Sequence, residues 1–191
     1  TFRNNGAGVA VMYTKGVTMK GNTFFHNWGD AAYAILLKDI SDSKIENNTF
    51  RKNTVGIFME GSSRIHISGN QFIDNGWAMR IQASCDANVF EKNNFLGNSF
   101  DVATNGTLML NTFRQNFWDK YDGYDLNRDL TGDVPHYPVS VYSVITERIP
   151  TAMILYRSFL TNIMDQVEKV MPTVIPEQLK DEEPRTKKWN L

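Results

Sequence analysis

Cysteine is almost absent from this sequence: Cys85 stands alone among 191 residues. An internal disulfide is therefore excluded, and cysteine usage leaves the compartment open. Long apolar runs are missing too, so no stretch of about 20 residues offers a membrane-spanning helix. There is no N-terminal signal pattern. The chain opens in the middle of a repeat, on Thr1-Phe2-Arg3-Asn4-Asn5. We therefore expect a piece of a longer protein whose earlier coils and export signal lie upstream. A net charge of -1 removes the basic excess of a general nucleic-acid binder. With 41% apolar residues, the chain still has enough to bury a core.

What the sequence has instead is repetition. Asn-x-Phe-x-x-Asn recurs at Asn22–Asn27, Asn48–Asn53, Asn70–Asn75 and Asn93–Asn98, and the phenylalanines at 2, 24, 50, 72, 95 and 113 lie 22, 26, 22, 23 and 18 residues apart. A period of about 22 residues marks a solenoid. Each unit carries an alternating apolar pair four residues after its closing Asn: Val9 and Val11, Ile57 and Met59, Met79 and Ile81. In one unit the pair comes later, as Ile35 and Leu37, after the four-residue insertion Trp28-Gly29-Asp30-Ala31. A second pair follows, clearest as Val17 with Met19 and Ile65 with Ile67. Alternation over so few residues means short strands with one buried face. Three such strands per unit fit one coil of a parallel β-helix, and five to six coils would rise roughly 25 Å. The six phenylalanines are expected in one internal column. Two asparagine ladders are expected at the corners, one of Asn22, Asn48, Asn70, Asn93 and Asn111, the other of Asn5, Asn27, Asn53, Asn75, Asn98 and Asn116.

After Asn116 the repeat gives way to a block rich in aromatic residues and carrying five aspartates. Asn116, Trp118, Asp119, Tyr121, Gly123, Asp125, Asp129, Gly132, Asp133, Pro135 and Tyr137 match a terminal signature of secreted β-helix proteins. The tail that follows has a Pro150-initiated helical pattern, an Arg157-Ser158 step, an Asp165-x-x-Glu168 exit to Pro172 and an acidic Asp181-Glu182-Glu183-Pro184 end. Together these features resemble the NosD family of periplasmic copper-processing proteins. The resemblance implies an all-β fold, a right-handed parallel β-helix followed by a C-terminal amphipathic α-helical tail. It divides the chain into coils at 1–116, an aspartate-rich cap at 117–140 and a docking extension at 141–191. It also implies a non-enzymatic periplasmic accessory role beside an ABC transporter, with an ATPase called NosF and a permease called NosY. That role would serve copper-centre maturation of nitrous-oxide reductase, which makes this enzyme or a copper chaperone a further partner and copper a transient cargo.

The residues allow a direct reading beside the resemblance. Asp125, Asn127 and Asp129 alternate, and Asp133 follows four residues later, so several oxygens can face one point as in a calcium loop. Leu130 and His136 depart from that pattern at its sixth and twelfth positions. An Asx-turn cap, in which the carboxylates accept backbone N–H groups, explains the same residues. Beyond Pro150, Met153, Tyr156, Leu160, Ile163, Met164, Val167, Val170 and Met171 fall at three- and four-residue steps. We expect a partner-binding stripe through Met153, Tyr156, Phe159, Leu160, Ile163 and Val167, with Trp189 as a further anchor. Copper ligands are sparse: no Cys-x-x-Cys, no Met-x-x-Met array and no paired histidine is present. His136 is the best placed of three histidines, and His26 and His66 read as ordinary surface residues.

A carbohydrate-binding or polysaccharide-processing β-helix is the rival class. Catalysis on sugar would need carboxylates from neighbouring coils on one outward face. The outward positions Ala10, Met12, Leu36, Phe58, Glu60, Arg80 and Gln82 are mixed and partly apolar instead. We expect no enzyme.

Overall fold

The structure, a computed structural model, describes residues 1–106, 110–155, 158 and 179–191, with the side chains of all of these but Arg148, Pro150 and Met153. The chain winds as an all-β parallel solenoid of five coils, each contributing one strand to three sheets. The first sheet has six strands, from Phe2–Arg3 to Phe117–Trp118. The second has five, from Ala7–Met12 to Phe100–Ala103, and the third has five, from Thr18–Lys20 to Thr112–Arg114.

Period-two alternation sets which side chains are inside, and register sets what they meet there. Phe2, Phe24, Phe50, Phe72 and Phe95 are direct partners across successive coils. Their rings stack nearly parallel with centroids 4.8 to 5.0 Å apart. Each such pair contributes roughly 0.5–1.5 kcal/mol beyond the area it buries. The column ends on Trp118, 4.0 Å from Phe95, and not on Phe113 as its spacing suggested. Phe113 belongs to the third sheet and stacks on Phe90 at 4.5 Å. The short gap of 18 residues thus marks a shift from one sheet to another.

The asparagine ladders show the same shift. Asn22, Asn48, Asn70, Asn93 and Asn116 form one ladder, in which backbone N and Nδ2 of each residue both donate to Oδ1 of the next, over 2.9 to 3.2 Å. Asn5, Asn27, Asn53, Asn75 and Asn98 form the second. Asn111, expected in the first, instead accepts from Asn88 at a third corner, and Asn116, expected in the second, takes its place. A buried amide at every turn satisfies corner backbone groups that would otherwise cost about 1–3 kcal/mol each.

The last coil leaves three strand edges to cover, and later residues cover all three. Arg185 bridges Phe117 on the first sheet, Val139 bridges Val102 on the second, and Asp181 bridges Phe113 on the third. Arg185 and Asp181 pair in turn with Thr131 and His136, so the tail lies between the last coil and the segment before the helix. Leu179 joins the hydrophobic core, fully buried. Closing an edge this way removes a template for unwanted strand pairing.

Among the described residues one short α-helix, Val141–Arg148, packs against the last coil's second sheet. Ser140 caps it by accepting from Ser143 N at 3.1 Å, and Glu147 reaches a paired contact with Arg80 at 2.7 and 2.9 Å. The helix therefore precedes Pro150, where the sequence pattern placed only a beginning. Ile149 leaves helical geometry at φ -132° and ψ 84°, as a residue before proline is biased to do. Pro150–Leu155 then forms a 3-10 turn.

Candidate docking surface at the closed end

The closing residues are ordered by the aspartates. Asp125 accepts from Asp129 N and Leu130 N at 3.1 and 2.9 Å, and Asp133 accepts from Leu126 N at 2.7 Å. Asn127 Oδ1 accepts from Asp129 N, and Asp129 accepts from Thr131 N at 2.7 Å. The Thr131 amide holds the Asp129 carboxyl below the usual carboxylate range. These oxygens aimed at backbone amides support Asx-turn capping. Among the described residues no group of three or more His, Cys, Asp or Glu side chains stands ready for a cation. Tyr121 pins the loop by donating to Val134 O at 2.8 Å, and a Cβ at Gly123 or Gly132 would collide with its hydroxyl. That collision is the physical reason for glycine at both places.

Beneath the loop lies a buried polar cluster. Asp181 is fully buried and takes the rung after Asn116: its Oδ2 accepts from Asn116 N, Asn116 Nδ2 and Trp118 Nε1 at 2.9 to 3.1 Å, and its Oδ1 accepts from Glu183 N. Burial raises its pKa despite these donors. His136 exchanges backbone hydrogen bonds with Asp181 at 2.8 and 2.9 Å, while its ring packs on Trp118 and Tyr121. His136 Nε2 is enclosed without a partner. Burial, helped by the Lys120 ammonium, pushes the imidazole pKa down to about 4, so this histidine is neutral at neutral pH. Beside it a cavity of about 120 Å³ is lined by Asp101, Lys120, His136, Tyr137 and Pro138, among others. Asp101 is buried, its pKa is raised by that burial, and Lys120 Nζ lies 3.3 Å from Oδ2.

The outside of this end is unusually apolar. Ile154 is 89% exposed and Leu126 80%, and Ile149, Leu155, Tyr124 and Leu130 are exposed as well. Of the expected partner-binding stripe, Tyr156, Phe159, Leu160, Ile163 and Val167 lie outside the described residues, and Met153 is described by its backbone alone, in the 3-10 turn. Trp189 is held on the solenoid itself. Its indole donates to Gln115 O at 2.8 Å, its backbone pairs twice with the Asn94 side chain at 2.9 Å, and Arg185 lies 4.5 Å over its ring. Sequence reasoning missed Ile149, Ile154 and Leu155 as exposed side chains. Their signal was Ile149 directly before Pro150 and the apolar run Ala152-Met153-Ile154-Leu155 shortly after it.

The other copper candidates do not converge. His26 stands at a corner with Nδ1 3.2 Å from Asn4, and His66 pairs with Glu91 at 2.9 Å. Burial would raise the Glu91 pKa, but its bonds to Arg114 and His66 hold it below the usual carboxylate range. Met19, Met59 and Met79 are core residues, and Cys85 is buried with its thiol pKa raised by that burial. The described residues thus do not assemble a copper site.

Comparison with known proteins places this geometry in a family. The family model described as periplasmic copper-binding protein (NosD) matches residues 1–123. A "Probable ABC transporter binding protein NosD" of Stutzerimonas stutzeri is 25% identical over 160 residues, covering 83% of this chain and 32% of its own length. A protein of the same description from Pseudomonas aeruginosa is 25% identical over 185 residues, covering 88% of this chain and 42% of its own length. The chain therefore spans well under half of the curated relatives that it matches.

Proposed function

The chain belongs to the NosD family, and from that premise we propose that it is the transporter-facing part of a non-enzymatic periplasmic accessory protein. In this reading the coils are a rigid right-handed column, as parallel strand crossovers favour, and the closed end is the docking element for an ABC transporter. The transporter is the NosY permease with its NosF ATPase, and the work supported is copper-centre maturation of nitrous-oxide reductase. Copper is cargo, delivered by a chaperone or passed to the reductase, and the column holds the partners in place.

One observation carries the reading: exposed apolar side chains, Ile149, Ile154 and Leu155, extend from a helix fixed to the last coil. An apolar patch on a rigid support marks a protein contact. The apolar steps at Tyr156, Leu160, Ile163 and Val167 continue the pattern in sequence, as a second part of the same docking element. No helix among the described residues is long and apolar enough to cross a membrane, so attachment to one would run through the transporter.

The test is co-purification of the permease and ATPase with this chain carrying Ile149→Asp, Ile154→Asp and Leu155→Asp. We expect a loss of about ten-fold or more in apparent affinity, with an unchanged melting temperature. Undiminished co-purification would sink the proposal. Truncation is the wrong test, because residues 179–185 also close the last coil.

A further inference from the structure

The upper coils carry a second surface that the docking reading does not use. On the outward face of the first sheet, Arg3, Phe25 and Arg51 are direct register partners in three successive coils. One residue further along each coil come Asn4, His26 and Lys52, and the insertion then places Trp28 beside them. Phe25 is 37% exposed and Trp28 52%, and Arg3, His26, Arg51 and Lys52 are exposed too. The His26 ring bridges the two aromatics, 5.8 Å from Phe25 and 6.2 Å from Trp28.

Single surface cations are ordinary, but two features set this corner apart. The first is the insertion itself. Residues 28–31 interrupt an otherwise regular period, Gly29 N anchors them to Thr54 Oγ1 at 3.2 Å, and they hold a tryptophan in solvent. Insertions in repeat proteins map to loops on one face, often the binding face. The second is charge. Among the described residues no ion pair engages Arg3, Arg51 or Lys52. Asp30 shares the loop, and Asp74 ends the basic row one coil below Lys52.

We propose that this corner binds an anionic polysaccharide. Arg3 and Arg51 stand two coil rises apart, roughly 9.6 Å, with the Phe25 ring between them. An extended sugar polymer advances by about one coil rise per pyranose, so carboxylates on alternate units meet the two guanidinium groups. The intervening pyranose then lays its C–H face on Phe25. Trp28 offers a second stacking surface at the edge, and Lys52 adds a third cation. An acidic peptide satisfies the charges but has no flat apolar ring face to match the aromatics. A membrane surface is planar and does not follow a row only three residues long.

The test is affinity electrophoresis in native gels containing polygalacturonate, neutral dextran or polyglutamate, with flotation on phosphatidylglycerol vesicles alongside. We expect retardation by polygalacturonate alone, weakening as salt rises. Arg51→Glu with Lys52→Glu should cut apparent affinity about ten-fold or more, and Trp28→Ala several-fold, with melting temperature unchanged. Ile154→Asp should leave retardation intact, which separates this surface from the docking end. No retardation, equal retardation by polyglutamate, preferential capture by vesicles, or indifference to Trp28→Ala would each overturn the proposal.

Discussion

The middle coils and the closed end solve the same problem with different material. In the middle each coil is the template for the next: Asn70 accepts from Asn48 and donates to Asn93, and Phe72 lies between Phe50 and Phe95. At the closed end the template runs out. Trp118 replaces phenylalanine, and Asp181, 65 residues beyond Asn116, supplies the missing acceptor. Repetition stabilises the column by many equal contacts, whereas closure rests on a few unlike ones. The end is thus free to present side chains that a stacked coil would have to bury.

The comparison is broken most severely in the middle. Phe72→Ala removes a fully buried ring and both stacks, and should cost about 3–5 kcal/mol by denaturant titration, unfolding the column cooperatively. Asn70→Ala strips Asn48 N of its acceptor, at about 1–3 kcal/mol, and leaves Asn48 Nδ2 with Met19 O alone. Asp181→Ala strips Asn116 N and Trp118 Nε1 of their acceptor and leaves Asn116 Nδ2 with Phe90 O alone, but at the end of the stack. Its effect should be local: hydrogen exchange accelerates across residues 179–186 and the last coil, while coils two to four keep their protection. Global unfolding of Asp181→Ala would show that the two regions are one cooperative unit.

A gentler contrast comes from pH. His136 has a pKa of about 4 in the folded chain and about 6.5 when unfolded. The unfolded end therefore takes up a proton that the folded end refuses, and closure weakens as pH falls from 6.5 to 4, levelling off below. The raised pKa of Asp181 acts oppositely, since burial of its carboxylate opposes closure at neutral pH and protonation relieves that. His136→Phe should abolish the loosening in that window, read by exchange at residues 179–186, without altering the middle coils. Smallest of all, Ile154→Asp should move stability by less than about 0.5 kcal/mol, because its side chain is 89% exposed.

The column was legible in the sequence because its physics is periodic. The Asn-x-Phe spacing gave the coils, the inward pairs and most of both ladders before any coordinate. It failed where period and position part company. Asn111-Thr112-Phe113 copies the motif of the first sheet yet belongs to the third, in register with Asn88-Val89-Phe90, which has the same spacing. The rung at Asp181 was unreadable, because nothing local links an acidic tail to a corner so far back. The helix at Val141–Arg148 did have a signal, Ser140 as N-cap, but the stronger pattern after Pro150 drew the boundary too late. The candidate site was read as a helical stripe, whereas its described part is the short turn at Ile149, Ile154 and Leu155 that follows the helix.

The central claim, that the closed end is the end which docks, is tested most directly by hydrogen exchange of this chain alone and with the reconstituted permease and ATPase. The account predicts new protection over residues 141–155 and none on the second to fourth coils. Protection confined to the outward faces of those coils, with residues 141–155 unchanged, would contradict it.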